Sequence, residues 1–277
     1  MPRVSPFKKG YKPVHGTTGF KSEKKPEDLI VLPAYERYLT KHPELTENRQ
    51  AVERVVRELL TPPRNRSRSF SASSAGYCLR RQELAFLGVK QNPMNNPRLA
   101  RIFGNGTMVH LRWQIGLLSA RIVDDIEYTV TSNSGLARAT LDGIGVAMEG
   151  NYKGARFVWE HKGRMSFSFL SQTRKGEPDD KTFSQVKFQF LQTGYDIAAV
   201  TNENKDTQEV DEFVIERTDE MVADAKKELR ELILAVDKQR LHPMLPECQR
   251  QLKSGEFMKC PFGTTAGACL HTGSWPR

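Results

Sequence analysis

The chain has 277 residues, 38% of them hydrophobic and 27% charged, and 42 Lys and Arg against 33 Asp and Glu leave a net charge of +9. That is enough apolar sequence to bury a sizeable core, so wholly disordered, collagen-like and disulfide-dense classes are excluded. The cationic surplus favours a polyanionic partner, above all nucleic acid.

Residues 1–27 carry seven cations with scattered Gly and Pro and little apolar periodicity, which predicts a flexible basic tail. The start, MPRVSPFKKGYKP, has no apolar run behind its cations, and no stretch approaches the length of a spanning helix, so neither a secretory signal nor a membrane partner is expected and the protein is expected in the cytoplasm. In a reducing compartment its four cysteines point to metal ligands or core residues rather than disulfides.

From Leu29 to Leu60 the spacing is helical, ending at Pro62 and Pro63. The stretch RNRSRSFSASSAGYCLRRQELAFLG reads as a basic, Ser-rich loop leading into a short helix. Between Arg64 and Arg112 there are nine cations against one acid, Glu83, the pattern of either a phosphate-facing surface or a solvated face. TMVHLRWQIGLLSAR reads as a helix preceded by a Gly-Asn-Gly loop. IEYTVT, LARATLDGIGVAM and ARFVWEHKG, separated by turn residues, predict an antiparallel meander. FSQVKFQFLQTGYDIAAV reads as a helix, EVDEFVIER as a strand, and Asp219 to Gln239 as a long charged helix. This order predicts an α/β fold on one mixed sheet. The expected division is a tail at 1–27 and one domain at 28–277, with a helical part at 28–98, a core at 99–218 and a C-terminal helix and Cys cluster at 219–277.

An acid-x-Lys pattern occurs five times, but only Glu160 and Lys162 continue an apolar strand, where a period of two sets both on one face. Ionised groups on a buried strand need a partner or a task. If 149–153 form the hairpin loop, Asp142 falls directly across from Glu160, with Cβ atoms about 5 Å apart. Two carboxylates at that distance need a cation between them, and Mg²⁺ or Mn²⁺ suits oxygen ligands. Lys162 would then stand beside an attacking water, the arrangement of a phosphodiester hydrolase. A purely structural ion-pair cluster of the three is the other reading. His110 lies early in its helix, and Gln185, Gln189 and Gln192 form a polar stripe on theirs.

Taken in order, His110, Asp142, Glu160-x-Lys162 and Gln185, with Cys78 before them and Cys248, Cys260 and Cys269 after, resemble the RecB-like branch of the PD-(D/E)XK nucleases. The resemblance covers about residues 70–270 and is to its iron-sulfur exonucleases, those related to the CRISPR-adaptation nuclease and to phage recombination exonucleases. It implies a restriction-endonuclease-like mixed central sheet flanked by helices, with a helical subdomain stapled between the N- and C-terminal parts by a [4Fe-4S] cluster on the four cysteines. It further implies that His110, Asp142, Glu160 and the His161 carbonyl bind Mg²⁺ or Mn²⁺, while Lys162 and Gln185 act on the water or phosphate. Two departures stand: Gln189 occupies the place where the family's Q-x-x-x-Y motif has Tyr, and the C-terminal cysteines lack a tight C-x-x-C, which leaves zinc open, with His271 replacing one Cys.

The expected function is therefore a metal-dependent DNA exonuclease of recombination or repair, phage or cellular. Its expected partners are DNA, as a single strand or duplex end guided by Arg80, Arg81 and Arg101, and a recombination protein. A phage protein would act in the host cytoplasm. A non-catalytic DNA-binding adaptor and a structure-selective endonuclease on the same scaffold are the rival readings.

Overall fold

Ile197–Asn204 is buried along its whole length, because it runs through the middle of the sheet with strands on both edges and helices on both faces. The computed structural model describes residues 24–61, 68–89, 97–245 and positions 248, 260 and 262. Among these the helices are α1 (Leu32–Lys41), α2 (Arg49–Leu60), α3 (Leu79–Phe86), α4 (Pro97–Ser119), α5 (Ser166–Lys175), α6 (Asp180–Thr193) and α7 (Asp219–Asp237). The strands are β1 (Phe70–Ser71), β2 (Asp125–Thr131), β3 (Ala137–Val146), β4 (Arg156–Arg164), β5 (Ile197–Asn204) and β6 (Val210–Glu216).

The sheet order is β1-β3-β4-β5-β6, with β2 also paired to β3. β2, β3 and β4 form the expected antiparallel meander, β5 adds parallel to β4, and β6 returns antiparallel. The expected mixed sheet flanked by helices is thus present. One face packs Val158, Val200, Phe213 and Ile215 against Val186 and Phe190 of α6 and Leu232 of α7. The other packs Phe157, Trp159, Ala199 and Val214 against Tyr35 of α1 and Trp113 and Leu117 of α4. Alternation along β4 consequently sends Glu160 and Lys162 towards α6 and His161 towards α4.

Three helix readings change. The helix expected over 29–60 is broken: the His42 N–H closes α1 on the Tyr38 carbonyl, and Pro43, which lacks an N–H and disfavours helical backbone at the residue before it, prevents continuation. The helix expected to run to Val200 stops at Gly194, whose φ of +70° suits a residue without Cβ, and the apolar run IAAV is the start of β5. A strand buried on both faces shows no alternation, so its pattern does not separate it from a helix. Gly104-Asn105-Gly106, expected as a loop, lies inside α4.

The N-terminal segment is fastened to β6. The buried Glu212 carboxylate accepts backbone N–H groups of Ile30, Val31 and Leu32 at 2.9, 3.0 and 2.8 Å, satisfying donors at the start of α1 that have no intrahelical partner. Lys24 Nζ donates to Asp211 Oδ1 at 2.8 Å, and Pro26–Asp28 form a 3₁₀ turn. The expected tail therefore reached too far: residues 24–27 belong to the folded body, and 1–23 lie outside the described residues. Among the described residues no helix is long and apolar enough to cross a membrane.

Candidate active site

The β3–β4 ladder runs from Val146↔Arg156 to Gly143↔Trp159, and the next step in that register sets Asp142 against Glu160. There the ladder ends. The His161 N–H donates to Asp142 Oδ2 at 2.7 Å rather than to a β3 carbonyl. On its other edge β3 pairs β2 at Gly143 and Leu141 but not at Asp142, because Glu127 opposite takes a φ of +49°. Gln114 of α4 fills this gap, its amide donating to Glu127 Oε1 at 2.8 Å and to the Asp142 carbonyl at 3.4 Å. Asp142 thus stands where the sheet forks.

Glu160 is 1% exposed. One oxygen accepts a short bond from Lys162 Nζ; the other accepts Gln185 Nε2 at 2.8 Å and Gln189 Nε2 at 2.6 Å. The two amides share a face of α6 because they are one turn apart. That helix is held in place by the Asp179 side chain, which accepts the Thr182 N–H at 2.7 Å and pairs with Arg164 at 2.7 Å. Lys162 Nζ also donates to Gln185 Oε1 at 3.1 Å.

The electrostatics follow from crowding. Burial, and then the Glu160 charge, push the Asp142 carboxyl well above the usual carboxylate range, against the pull of Lys162 and the His161 N–H. Burial works against the Lys162 ammonium, yet Glu160 and Asp142 outweigh it and raise its pKa. His110 Nδ1 stands 3.6 Å from Asp142 Oδ2, and burial lowers its pKa. His161 is fully buried on the opposite face, stacked on Trp113 at 4.9 Å between ring centroids, with Nδ1 against Thr201 Oγ1 at 2.9 Å. Burial, then the nearby His110, holds it well below the usual histidine range, so its ring is neutral.

Of the residues expected from sequence, Asp142, Glu160, Lys162, Gln185, His110 and the His161 backbone meet at this fork. The donor types, two carboxylates, an imidazole and a peptide carbonyl, fit a hard divalent ion. In the present arrangement Glu160 is closed on its own protein partners, and among the described residues no group of three or more His, Cys, Asp or Glu side chains is gathered closely enough to hold a metal. Sequence reasoning missed Gln114, Glu127 and Lys205, and it singled out Gln189 only as a member of a stripe and as a departure from the Q-x-x-x-Y motif. Glu203-x-Lys205, another of the five acid-x-Lys pairs, ends β5: Glu203 is buried and accepts from Trp113 and Arg112, while Lys205 lies along Gly163.

Cys78, Cys248 and Cys260 line one pocket with Arg80, Arg81, Leu84, Met244, Leu245 and Phe262, which brings the Cys78 region to positions 248, 260 and 262. Cys269 and His271 lie outside the described residues. Arg80 is buried, its guanidinium donating to the His242 carbonyl at 2.7 Å, and so does not face a polyanion from the surface. Arg81 sits over the Tyr77 ring at 3.4 Å, and Arg101 is exposed on α4.

No protein-family model matches this chain, and no curated protein matches it. Among solved structures it is similar to the alkaline exonuclease LHK-Exo of Laribacter hongkongensis, with 15% identity, a TM-score of 0.47, and coverage of 68% of this chain and 95% of that one. The LHK-Exo complex with dAMP gives 16% identity and a TM-score of 0.47 over 69% and 95% of the two chains. SSO0001 gives 18% identity and a TM-score of 0.44 over 78% and 97%.

Proposed function

We propose that the protein is a metal-dependent deoxyribonuclease acting as an exonuclease on DNA. One observation carries this reading: at the fork between β3 and β4 the Asp142 carboxylate takes the His161 N–H and feels the charge of the buried Glu160, while Lys162 and Gln185 converge on Glu160. A salt bridge alone needs neither the second carboxylate nor two amides on one oxygen, and it leaves Asp142 with a charge that burial disfavours. Asp142, Glu160, His110 and the His161 carbonyl would hold Mg²⁺ or Mn²⁺, which supplies Lewis-acid polarisation of a phosphate and a more acidic water. Lys162 orients Glu160 and presents an ammonium to the phosphate, and Gln185 binds the ammonium and the carboxylate together.

The cysteine pocket belongs to the same proposal. Cys78, Cys248 and Cys260, lining one pocket, would hold a [4Fe-4S] cluster with Cys269, and a zinc ion is the rival occupant. Anaerobic purification with metal analysis separates them: about four irons per chain against stoichiometric zinc.

A second reading, a DNA-binding adaptor without catalysis, draws on the closure of Glu160 by Lys162, Gln185 and Gln189. Digestion of linear DNA with Mn²⁺ or Mg²⁺ decides between them. Cleavage that stops in EDTA, spares circular DNA and is lost in a folded Glu160→Ala protein is expected; unchanged digestion by Glu160→Ala overturns the proposal.

A further inference from the structure

The first turns of α4 are largely exposed among the described residues. Where side chains are described, residues 97–105 are exposed, and Ile102, Phe103 and Met108 stand out at 41%, 57% and 64% exposure. Two glycines lie in this half, each costing about 1 kcal/mol in a helix interior relative to Ala, yet packing does not demand them. A Cβ on Gly104 would meet nothing within 4 Å, and one on Gly106 would only touch Lys205 Nζ at 3.7 Å.

Helical geometry orders these residues. Phe103, Gly106 and His110 are spaced i, i+3 and i+7, so they share one face, and Phe103 lies about 10 Å along the axis from His110. His110 is the residue that faces Asp142. Lys205 bridges the face to the catalytic strand: its side chain reaches from Gly163, where an added Cβ would lie 2.5 Å from Cε, to Gly106. Moving outward from Asp142 the stripe therefore reads imidazole, an open glycine with an ammonium beside it, and an exposed phenyl ring. No acid occurs between Glu83 and Asp124, against five cations.

We infer that this stripe is the track for a single strand of DNA entering the site, with Phe103 stacking on a base, Lys205 holding a phosphate in the space that Gly106 leaves open, and the next phosphate delivered to Asp142 and Glu160. The inference rests on the nuclease reading for what lies at the end of the track. The alternation of a cation and an aromatic ring on an acid-free face is what non-specific single-strand binding requires, since every base has a π-face and every nucleotide a phosphate.

The test uses the full chain, a fluorescent oligothymidine and EDTA, so that binding is read without cleavage. Phe103→Ala is expected to weaken binding about tenfold, within the range for loss of one base–aromatic stack. Phe103→Trp should retain affinity and show quenched indole emission on binding. Gly106→Leu, which favours the helix but fills the gap, should weaken binding to a similar degree. Leu60→Ala, an exposed apolar residue on α2, should leave it unchanged. Wild-type affinity in Phe103→Ala, or no measurable binding by the parent protein, overturns the inference; the first would also be the result if this face docked another protein. Failure of the nuclease reading looks different: affinity falls in Phe103→Ala although the parent protein cuts no DNA with Mn²⁺.

Discussion

Gln189 and Glu160 form a 2.6 Å hydrogen bond in a site where Gln189 is fully buried and its own Oε1 has no hydrogen-bond partner among the described residues. An amide that leaves its carbonyl unsatisfied in order to donate to a carboxylate is placed for the carboxylate's sake. Removing a buried donor of this kind leaves charge unsolvated and costs about 1–3 kcal/mol.

Gln189→Met, close in volume, should therefore lower kcat about tenfold with KM for DNA little changed, because the residue holds Glu160 and does not touch the nucleic acid. Gln189→Glu, which brings a like charge to Glu160, should do more damage than Met. Equal activity in all three proteins would show that Gln185 and Lys162 alone fix the carboxylate.

Lys162 compensates a buried charge, so its loss should be felt as instability as well as inactivity. Lys162→Met leaves Glu160 buried without its counter-ion, and a loss of about 3 kcal/mol in urea unfolding is expected. Adding Glu160→Gln should recover most of that stability while leaving cleavage absent. A double variant as unstable as the single one would locate the cost in packing rather than charge.

Tyr35 gives a pH dependence independent of any proposal about DNA. Its side chain is buried against Trp113 and Gly116, and burial, opposed by Arg112 and assisted by Glu203, raises its hydroxyl to about 12 from an ordinary 10.0. A raised folded value means that the native state keeps its proton where the unfolded chain has lost it, so stability is full below pH 10 and falls as pH rises towards 12. The shift corresponds to roughly 3 kcal/mol. Denaturation at pH 9 and pH 11.5 should show this loss in the parent protein and a smaller one in Tyr35→Phe.

Local rules carried much of the architecture. The meander was legible because β2, β3 and β4 are short β-branched runs between turn residues, and the expected register matches the observed pairs from Val146↔Arg156 to Gly143↔Trp159, although the strands stop at Val146 and Arg156 and the turn between them is longer than the five residues 149–153. The asymmetry of Glu160 and Lys162, ions on an otherwise apolar strand, needed only the period of two. Cys78, Cys248 and Cys260 share one pocket, and Cys269 lies outside the described residues.

What the sequence determined by itself is whatever depends on neighbours along the chain: the faces of β4, the turn of α6 that pairs Gln185 with Gln189, and the acid-free stretch that makes α4 cationic. Tertiary structure alone decided the rest. β5 was hidden because burial on both faces erases alternation. The role of Lys205 was hidden because a parallel neighbour, β4, brings Gly163 to it from more than forty residues away. Arg80 was misread because composition reports charge but not direction, and its guanidinium turns inward to a carbonyl that only the folded chain supplies. Periodicity encodes which way a side chain points within its own element; which element it meets is set by packing between segments distant in the chain.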